Sequence, residues 1–481
     1  MRGRIILPRR NEVAMLFSSI TFLYAFLPIV LLVYFAAPRP MKNYVLLLAS
    51  LVFYFFGEPV YTLLLVFSSL SDYIHGLLIE KWRGTGKAKA ALISSIIINL
   101  AMLGFFKYAD FFIGSINGIF GSSIPLTKLP LPIGISFFTF QTMSYTIDVY
   151  RGDAHAEKNM GSLFTYVSLF PQLIAGPIVR YTDISQQLHR RKSTVDDLYA
   201  GVVRFVTGLG KKVLIANAMG ALCESFRGSA DKSVGFFWLY AVAFTFQIYF
   251  DFSGYSDMAI GLGRMFGFGF PENFKYPLTA NSITDFWRRW HITLGRWFRD
   301  YLYIPLGGNH VPRWRWYLNI AIVWAATGLW HGAAWNFVIW GLMFGVILIL
   351  EKQKLLELLK KSGRVLPHIY VLLIVVLSFV IFNADGLTGV VADFKGLFGA
   401  AGLPLWSFET GYYLKSYGVL LLLAAIGSTP LPKNLWTRLA KTSTGSKLAV
   451  AAEPVTVILL LILTTAFLVD GSFNPFLYFR F

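Results

Sequence analysis

Long apolar runs separated by short polar stretches dominate the hydrophobic pattern of this 481-residue chain. A run of roughly 20 apolar residues has the length that an α-helix needs to cross a membrane. The pattern predicts about eleven or twelve such helices, so the expected fold class is an all-α polytopic membrane protein. The predicted segments are residues 16–37, 44–57, 60–79, 88–106, 131–149, 198–222, 234–262, 316–330, 333–350, 366–383, 412–427 and 454–469.

Two further stretches, 109–120 and 160–178, contain too few apolar residues to span a membrane and are predicted to be re-entrant or interfacial helices. No internal repeat and no soluble domain can be distinguished. We therefore expect one transmembrane domain over 15–481, preceded by a doubtful N-terminal extension at 1–14.

Composition supports the membrane class. Hydrophobic residues make up 56% of the chain, charged residues 14%, and the mean hydropathy is +0.59, whereas a soluble domain carries about 25% charged residues. The excess of 43 Lys and Arg over 25 Asp and Glu fits cytoplasmic loops facing anionic lipid rather than nucleic-acid binding. Basic segments also suit a phosphorylated acyl donor. The single cysteine, Cys223, excludes an intramolecular disulfide and a cysteine metal cluster.

Basic clusters orient the chain, because cytoplasmic loops are enriched in Lys and Arg. The clusters at 81–89, 350–365 and 428–450 are predicted to be cytoplasmic. Counting helices from them places both the C-terminal tail and the start of the first helix outside. The basic residues within 1–14 conflict with that orientation, so we expect an over-extended gene start and initiation at Met15. The alternative is an inward N-terminus and one miscounted helix.

Two histidines, His291 and His331, lie in apolar sequence between tryptophans and glycines. A group that exchanges a proton near neutral pH is costly to bury in a membrane and is a functional candidate. Together they suggest proton-transfer chemistry, although a histidine on an apolar helix is often only a hydrogen-bonded structural group. Gly332 favours the functional interpretation for His331, because a missing side chain lets a substrate approach the ring.

Arginines alternate with aromatic residues over 278–305, which is too polar to cross lipid and suits an interfacial helix or the lining of a water-filled passage. This mixture would also bind a donor that carries phosphates and a nucleotide base. The alternative is an aromatic belt with snorkelling arginines. The predicted donor-binding residues are Trp287, Arg288, Arg289, Trp290 and Arg296.

Asp251 and Asp257 lie in an otherwise apolar helix, six residues apart and therefore on different faces. A catalytic pair is not expected. Because buried charges must be paired, we predict a structural role with hydroxyl groups or arginines of the bundle. The chain has no HExxH motif, cysteine pair or carboxylate–histidine spacing, so no metal is predicted.

Several of these stretches match a known family. The chain resembles the membrane-bound O-acyltransferase family, and within it the bacterial alginate O-acetylase branch, from about Met15 to Phe481. The matching stretches are residues 15–19, 170–180, 249–257 and the two histidine motifs. The resemblance implies an all-helical funnel in a bacterial cytoplasmic membrane, with a thioester donor entering from the cytoplasm and acyl groups emerging outside. His331 matches the family's catalytic histidine, and His291 its second, supportive position.

Acyl transfer to a hydroxyl requires a base, and neutral imidazole suits that role. His331 is the expected base, with Trp330 or Trp335 stabilising the oxyanion and Asp251 in support. His291 is expected to orient the donor or complete a proton path. The resemblance implies acetyl-CoA as the donor, no bound cofactor, an exported polysaccharide as the acceptor and an extracytoplasmic esterase-like acetyltransferase as a partner, in contact with membrane lipid and without nucleic acid.

Two other functions stay open at this point. One is the transfer of D-alanyl or another acyl group to teichoic acid or the cell wall, because the family motifs do not separate donors. The other is a proton-coupled transporter whose histidines relay protons. Against transport, the sequence shows no inverted repeat, and the arginine–tryptophan segment is typical of a docking surface.

The last eight residues carry three phenylalanines around Tyr478. Chain termini are ordinarily polar and frayed, so this aromatic tail predicts a seated segment. The resemblance adds that the tail matches an aromatic–tyrosine signature of acyl-relay partners in the family. Tyr478 would then accept the acyl group with His331 as base. The alternative is a simple interfacial anchor.

Overall fold

The computed structural model describes residues 15–470 and 476–477, and all regular secondary structure in those residues is helical. The α-helices are Leu27–Ala36, Lys42–Gly57, Thr62–Lys81, Gly86–Leu103, Ala109–Phe120, Ile135–Arg151, Met160–Ser168, Phe170–Leu173, Tyr181–His189, Val195–Gly210, Asn217–Gly228, Val234–Met265, Ile283–Trp287, Ile292–Phe298, Arg313–His331, Trp335–Leu350, Leu356–Lys361, Val365–Asn383, Gly386–Leu397, Phe408–Gly427, Leu431–Ala440 and Ser443–Asp470. Short π-helical segments occur at Phe22–Phe26, Gly104–Tyr108, Lys211–Ala216, Arg299–Tyr303 and Glu351–Leu355.

Seven helices among the described residues are long and apolar enough to cross a membrane. An eighth is obtained if Phe408–Gly427 and Leu431–Ala440, which meet at a 65° bend, form one broken span. The prediction of an all-α polytopic membrane protein is confirmed. The seven are Arg39–Gly57, Thr62–Lys81, Gly86–Phe120, Val234–Met265, Trp335–Lys361, Val365–Asn383 and Ser443–Asp470.

Fewer helices are long and apolar enough than the eleven or twelve segments predicted from the sequence, because some predicted segments form helices that are too short or too polar. The segment predicted at 131–149 is helix Ile135–Arg151, which is buried along nearly its whole length and includes polar side chains such as Gln141. The segment predicted at 316–330 is helix Arg313–His331, which begins with two arginines. Helix Ile135–Arg151 is apolar because protein surrounds it, and a hydropathy window cannot distinguish this from contact with lipid.

Residues 109–120 do not form a separate piece. This stretch continues helix Gly86–Leu103 through the π-helical turn Gly104–Tyr108, giving one apolar span of 35 residues. Residues 160–178 do form short pieces, Met160–Ser168 and Phe170–Leu173. Their separation follows from a proline at the start of the second helix, which cannot donate a hydrogen bond to the preceding turn.

The described residues divide into two compact units, and the first comprises 15–205, 257–271, 465–470 and 476–477. At its centre Asp72 is fully buried. Its carboxylate accepts hydrogen bonds from Ser95 Oγ at 2.6 Å and Asn99 Nδ2 at 2.7 Å, which satisfy a group that would otherwise be costly to bury.

The second unit comprises 206–256 and 272–464 and contains both histidines. Its central element is an antiparallel hairpin of helices Arg313–His331 and Trp335–Leu350. Gly328 and Gly341 lie where the two backbones touch. A Cβ atom at Gly328 would overlap the carbonyl oxygen of Phe337, and one at Gly341 would overlap that of Trp324. Glycine at both positions lets the helices approach closely, which fixes His331 at the end of the first helix.

The long helix Val234–Met265 carries the two predicted structural carboxylates. Within the second unit, Asp251 lies 2.6 Å from the Lys212 ammonium, and both side chains are almost fully buried. Within the first unit, Asp257 lies 2.6 Å from the Arg204 guanidinium. Each buried carboxylate is thus paired with a cation, as the cost of removing a charge from water requires.

Candidate active site

The fold brings together the two histidines that are forty residues apart in sequence. His331 is the last residue of helix Arg313–His331, and His291 directly precedes helix Ile292–Phe298. Their ring centroids are 6.4 Å apart, and both side chains are buried. Two titratable rings at this distance, shielded from water, form a site where a proton can be held or handed on.

His291 has a left-handed backbone conformation, with φ 45° and ψ 52°. A residue with a Cβ atom adopts this region at a cost, and such strain persists only where neighbouring groups enforce it. Asn273 supplies that constraint. Its carbonyl oxygen accepts from Ile292 N–H at 3.0 Å, and its Oδ1 accepts from Thr293 N–H at 3.3 Å and Thr293 Oγ1 at 2.9 Å.

The same Asn273 Oδ1 lies 3.2 Å from His291 Nδ1. Because this oxygen is only an acceptor, the neutral His291 ring carries its proton on Nδ1 and keeps a lone pair on Nε2. Nε2 is buried and has no hydrogen-bond partner among the described residues. Asn273 was not predicted from the sequence, where it is only a polar residue in the break after Pro271.

His291 lies outside the candidate membrane spans. Burial lowers its pKa well below the usual value of 6.5, and repulsion from a protonated His331 lowers that pKa further. The ring is therefore neutral at physiological pH. A neutral imidazole with a free lone pair accepts hydrogen bonds or protons, which is the property that acid–base chemistry requires.

Aromatic rings surround His331. The ring centroids of Trp330 and Trp340 each lie 5.0 Å from that of His331, and Phe382 lies at 5.4 Å. Gly332 does not open a path to the histidine, contrary to the expectation from sequence. The space beside its Cα is filled by the Phe337 ring, which a Cβ atom would overlap. Gly332 therefore serves the packing of the hairpin.

A cavity of about 600 Å³ reaches His291. Its walls come from the short helices Ile283–Trp287 and Ile292–Phe298, the π-helical segment Arg299–Tyr303 and the hairpin. The cationic residues that line it are Arg288, Arg296, Arg299 and Lys352, and its aromatic residues include Trp287 and Trp324. This lining combines positive charge, which attracts phosphate, with flat aromatic surface.

Three of the five predicted donor-binding residues, Trp287, Arg288 and Arg296, line this cavity. The other two, Arg289 and Trp290, do not line the cavity. Arg289 is paired with Asp285 at 3.0 Å, and Trp290 is buried against neighbouring aromatic rings, including Phe286. Arg289 and Trp290 lie in the turn after helix Ile283–Trp287, so helical spacing in the sequence does not show which side chains face the cavity.

A second cavity of about 730 Å³ shares Lys352 with the first. Arg313, Trp316 and Lys354 also line it. The Lys352 ammonium lies 5.2 Å from the centroid of the Trp316 ring, a cation–π contact. Cationic and aromatic groups therefore continue from one cavity to the next.

The remaining predicted residues differ in their surroundings. Trp330 is buried beside both histidines, with its ring centroid 5.6 Å from that of His291 and 5.0 Å from that of His331. Trp335 is 50% exposed and does not line the cavity beside His291. Asp251 is occupied by its buried ion pair with Lys212. Tyr478 and the extension at 1–14 lie outside the described residues.

Comparison with known proteins identifies the family. Residues 116–385 match the model of the membrane-bound O-acyltransferase family. The probable alginate O-acetylase AlgI of Azotobacter vinelandii is 43% identical over 78% of this chain and 76% of its own. That of Pseudomonas putida is 38% identical over 97% of this chain and 100% of its own.

The similarity extends to a protein with a different acceptor in its name. The peptidoglycan O-acetyltransferase of Helicobacter pylori is 37% identical over 81% of each chain. The matched family region, residues 116–385, contains both histidines and the cationic lining of the first cavity. The chain belongs to the membrane-bound O-acyltransferase family and is an O-acyltransferase.

Proposed function

We propose that the protein transfers an acetyl group from cytoplasmic acetyl-CoA towards the O-acetylation of an extracytoplasmic polysaccharide. The observation that carries this proposal is the pair of buried histidines next to a cationic and aromatic cavity. The relatives aligned over most of the chain are named for acetyl transfer to alginate or peptidoglycan, which favours acetyl over D-alanyl as the group transferred.

The donor would bind through its phosphates to Arg288, Arg296 and Lys352, with its base against aromatic surface such as Trp316 in the second cavity. Guanidinium groups bind phosphate oxygens in pairs, and aromatic rings stack on a nucleotide base. The basic residues around 350–365 favour an entrance on the cytoplasmic side, because cytoplasmic loops are enriched in Lys and Arg.

His331 acts as the general base in this proposal. The acceptor hydroxyl oxygen attacks the thioester carbonyl carbon while His331 takes the hydroxyl proton. The tetrahedral oxyanion then collapses, the carbon–sulfur bond breaks, and the thiolate leaves as a thiol with the proton that His331 took from the hydroxyl. His291 Nε2, a buried acceptor beside the cavity, orients the donor by accepting from an amide N–H of its pantetheine arm.

Trp287 is the proposed donor to the oxyanion. Its ring lines the cavity, and its indole N–H is buried without a hydrogen-bond partner among the described residues. An unsatisfied buried donor is costly, so its presence beside a reaction site indicates a ligand that completes it. Trp330 packs against His331 and helps to hold its ring in place. The half-exposed Trp335 has no role in the proposal.

The product side of the proposal rests on the family resemblance of the aromatic tail and on the positions of the basic loops. The protein would reside in a bacterial cytoplasmic membrane with its C-terminal tail outside, where Tyr478 accepts the acetyl group and an esterase-like acetyltransferase passes it to the polysaccharide. Tyr478→Phe keeps the apolar area and removes the nucleophile. Acetylation of the polysaccharide at the wild-type level by this variant would leave the aromatic tail as an anchor only.

The direct test uses purified protein in liposomes with radiolabelled acetyl-CoA outside and acceptor inside. Covalent label on acceptor or protein supports acyl transfer, whereas free label crossing the bilayer supports transport. His331→Ala should lose at least about 100-fold in transfer rate, the scale of a missing general base. His310→Ala, an exposed histidine in the loop before the same helix, is the matched control.

A further inference from the structure

Glu351 is a buried acidic residue directly after the hairpin. Its side chain is 1% exposed, and it begins the π-helical segment Glu351–Leu355 that follows helix Trp335–Leu350. Burying a carboxylate is costly unless strong hydrogen bonds hold it. Single π-helical turns are frequent at functional sites, because they redirect the side chains that follow.

Four donors reach this carboxylate. Oε1 accepts from the Ile283 backbone N–H at 2.6 Å and the Tyr370 hydroxyl at 3.2 Å. Oε2 accepts from the Thr284 backbone N–H at 2.8 Å and its hydroxyl at 2.7 Å. Three of the four donors thus belong to two adjacent residues that begin helix Ile283–Trp287. Hydrogen bonds to an ionised acceptor are stronger than those between neutral groups.

The helix that Glu351 holds cannot be stable alone. It is five residues long, far below the length at which a helix is stable in isolation. The helix carries Trp287 at its end, and Arg288 follows, so the orientation of both cavity-lining residues depends on how the helix begins. On the other side, Lys352 follows Glu351 directly and lines both cavities.

We propose that Glu351 is a positioning residue for donor binding, which holds the segment bearing Trp287 and Arg288 at the distance from Lys352 that the donor requires. This inference rests on the proposed function, in which those residues bind the phosphorylated donor. Glu351 does not touch the donor. It acts through the backbone of Ile283 and Thr284, so its effect is expected on donor affinity rather than on the transfer step.

The test compares Glu351→Gln with Glu357→Gln, an exposed acid in the following helix Leu356–Lys361. Glutamine keeps the size of the side chain but replaces one acceptor oxygen with an NH₂ group that opposes a donor. Glu351→Gln should raise KM for acetyl-CoA about tenfold and change kcat less than about threefold, since the lost hydrogen bonds involve a charged group. Glu357→Gln should leave both unchanged.

A second measurement does not depend on activity. Amide hydrogen exchange should accelerate over residues 283–288 in Glu351→Gln and stay at the wild-type rate in helix Thr62–Lys81, which belongs to the first unit. If KM is unchanged while exchange accelerates, Glu351 only caps a helix and the positioning role is overturned. The same conclusion follows if kcat falls and KM does not.

Thr284→Val gives a third readout, because it removes one of the four donors. Alone it should raise KM for acetyl-CoA by less than Glu351→Gln, and in the double variant it should add nothing, since both changes act through one network. Additive effects would contradict the proposal. If the wild-type protein transfers no acetyl group, the proposed function fails, whereas the exchange experiment still tests whether Glu351 orders residues 283–288.

Discussion

Asn273 Oδ1 lies 3.2 Å from His291 Nδ1, and this contact determines which nitrogen of the histidine keeps its lone pair. The same oxygen holds Thr293, so one amide group controls both the backbone strain of His291 and its tautomer. Asn273 therefore acts on the site although the proposal gives it no contact with substrate.

Removing this amide should impair the enzyme without unfolding it. Asn273→Ala is expected to lower kcat about tenfold or more, because His291 loses its fixed tautomer and Thr293 N–H loses its acceptor. Asn281→Ala, an exposed asparagine in the segment before helix Ile283–Trp287, is the control. The measurement is acetyl transfer per mole of monodisperse protein. A wild-type kcat for Asn273→Ala would show that the tautomer of His291 is irrelevant.

The lowered pKa of His291 predicts a specific pH dependence of stability. Below about pH 6.5, the unfolded chain binds a proton that the folded state resists, so stability falls as pH falls through this value. Above it, the ring is neutral in both states and contributes nothing. His291→Gln should therefore gain stability relative to wild type below pH 6.5, by up to about 1.4 kcal/mol per pH unit.

Thermal melting of the detergent-solubilised protein between pH 5 and pH 7.5 checks this difference. The quantity compared is the Tm of His291→Gln minus that of wild type, which should be constant at higher pH and rise as pH falls. The exposed His310→Gln serves as the comparison variant. A difference that does not change with pH would mean that His291 is protonated equally readily in the folded and unfolded states.

Arg288 and Arg296 line the first cavity and Arg289 does not, although the three were equivalent candidates in the sequence. Arg288→Gln and Arg296→Gln should each raise KM for acetyl-CoA about threefold to tenfold, because each loses a phosphate contact. Arg289→Gln should leave KM nearly unchanged, since Arg289 is paired with Asp285 and does not line the cavity. KM measured at low and high ionic strength should show the effect of Arg288 and Arg296 weakening with salt. Equal effects of all three substitutions would contradict the assignment.

The buried pair of Lys212 and Asp251 should be a stability element rather than a catalytic one. Asp251→Leu leaves the Lys212 ammonium buried without this carboxylate, and should cost about 3–5 kcal/mol. Replacing both, with Lys212→Met and Asp251→Leu, should recover most of that loss, because two apolar side chains need no pairing.

Thermal stability by size-exclusion chromatography after heating distinguishes the single from the double replacement. Asp196→Ala, which alters an exposed acid, is the control for charge removal. A double variant that is stable but has lost acetyl transfer would assign the pair a role in the reaction and refute the structural interpretation.

The sequence revealed those residues whose chemistry is unusual for their surroundings. His291 and His331 were predicted because titratable rings are costly in apolar sequence, and Trp287, Arg288 and Arg296 because guanidinium groups alternate with aromatic rings. All five lie in one region of the second unit.

Asn273 and Glu351 were missed for the converse reason. Each lies in a polar stretch where its residue type is ordinary, and its importance arises only from groups brought near by the fold. The misinterpretation of Gly332 has the same origin, because a glycine leaves space, and only the structure shows that Phe337 fills it. Hydropathy of the sequence predicted eleven or twelve membrane segments, whereas seven helices of the described residues, or eight with the bent pair, are long and apolar enough to span a membrane.

The glycine contacts of the hairpin also determine which parts of the enzyme are able to move during turnover. With Gly328 and Gly341 at backbone contact, neither helix can slide along the other without collision between main-chain atoms. His331 therefore keeps a constant height relative to helix Trp335–Leu350 throughout a reaction cycle. In the proposed reaction, widening the cavity to release the thiol product would therefore fall to the short helices Ile283–Trp287 and Ile292–Phe298, which are held through Glu351 and Asn273.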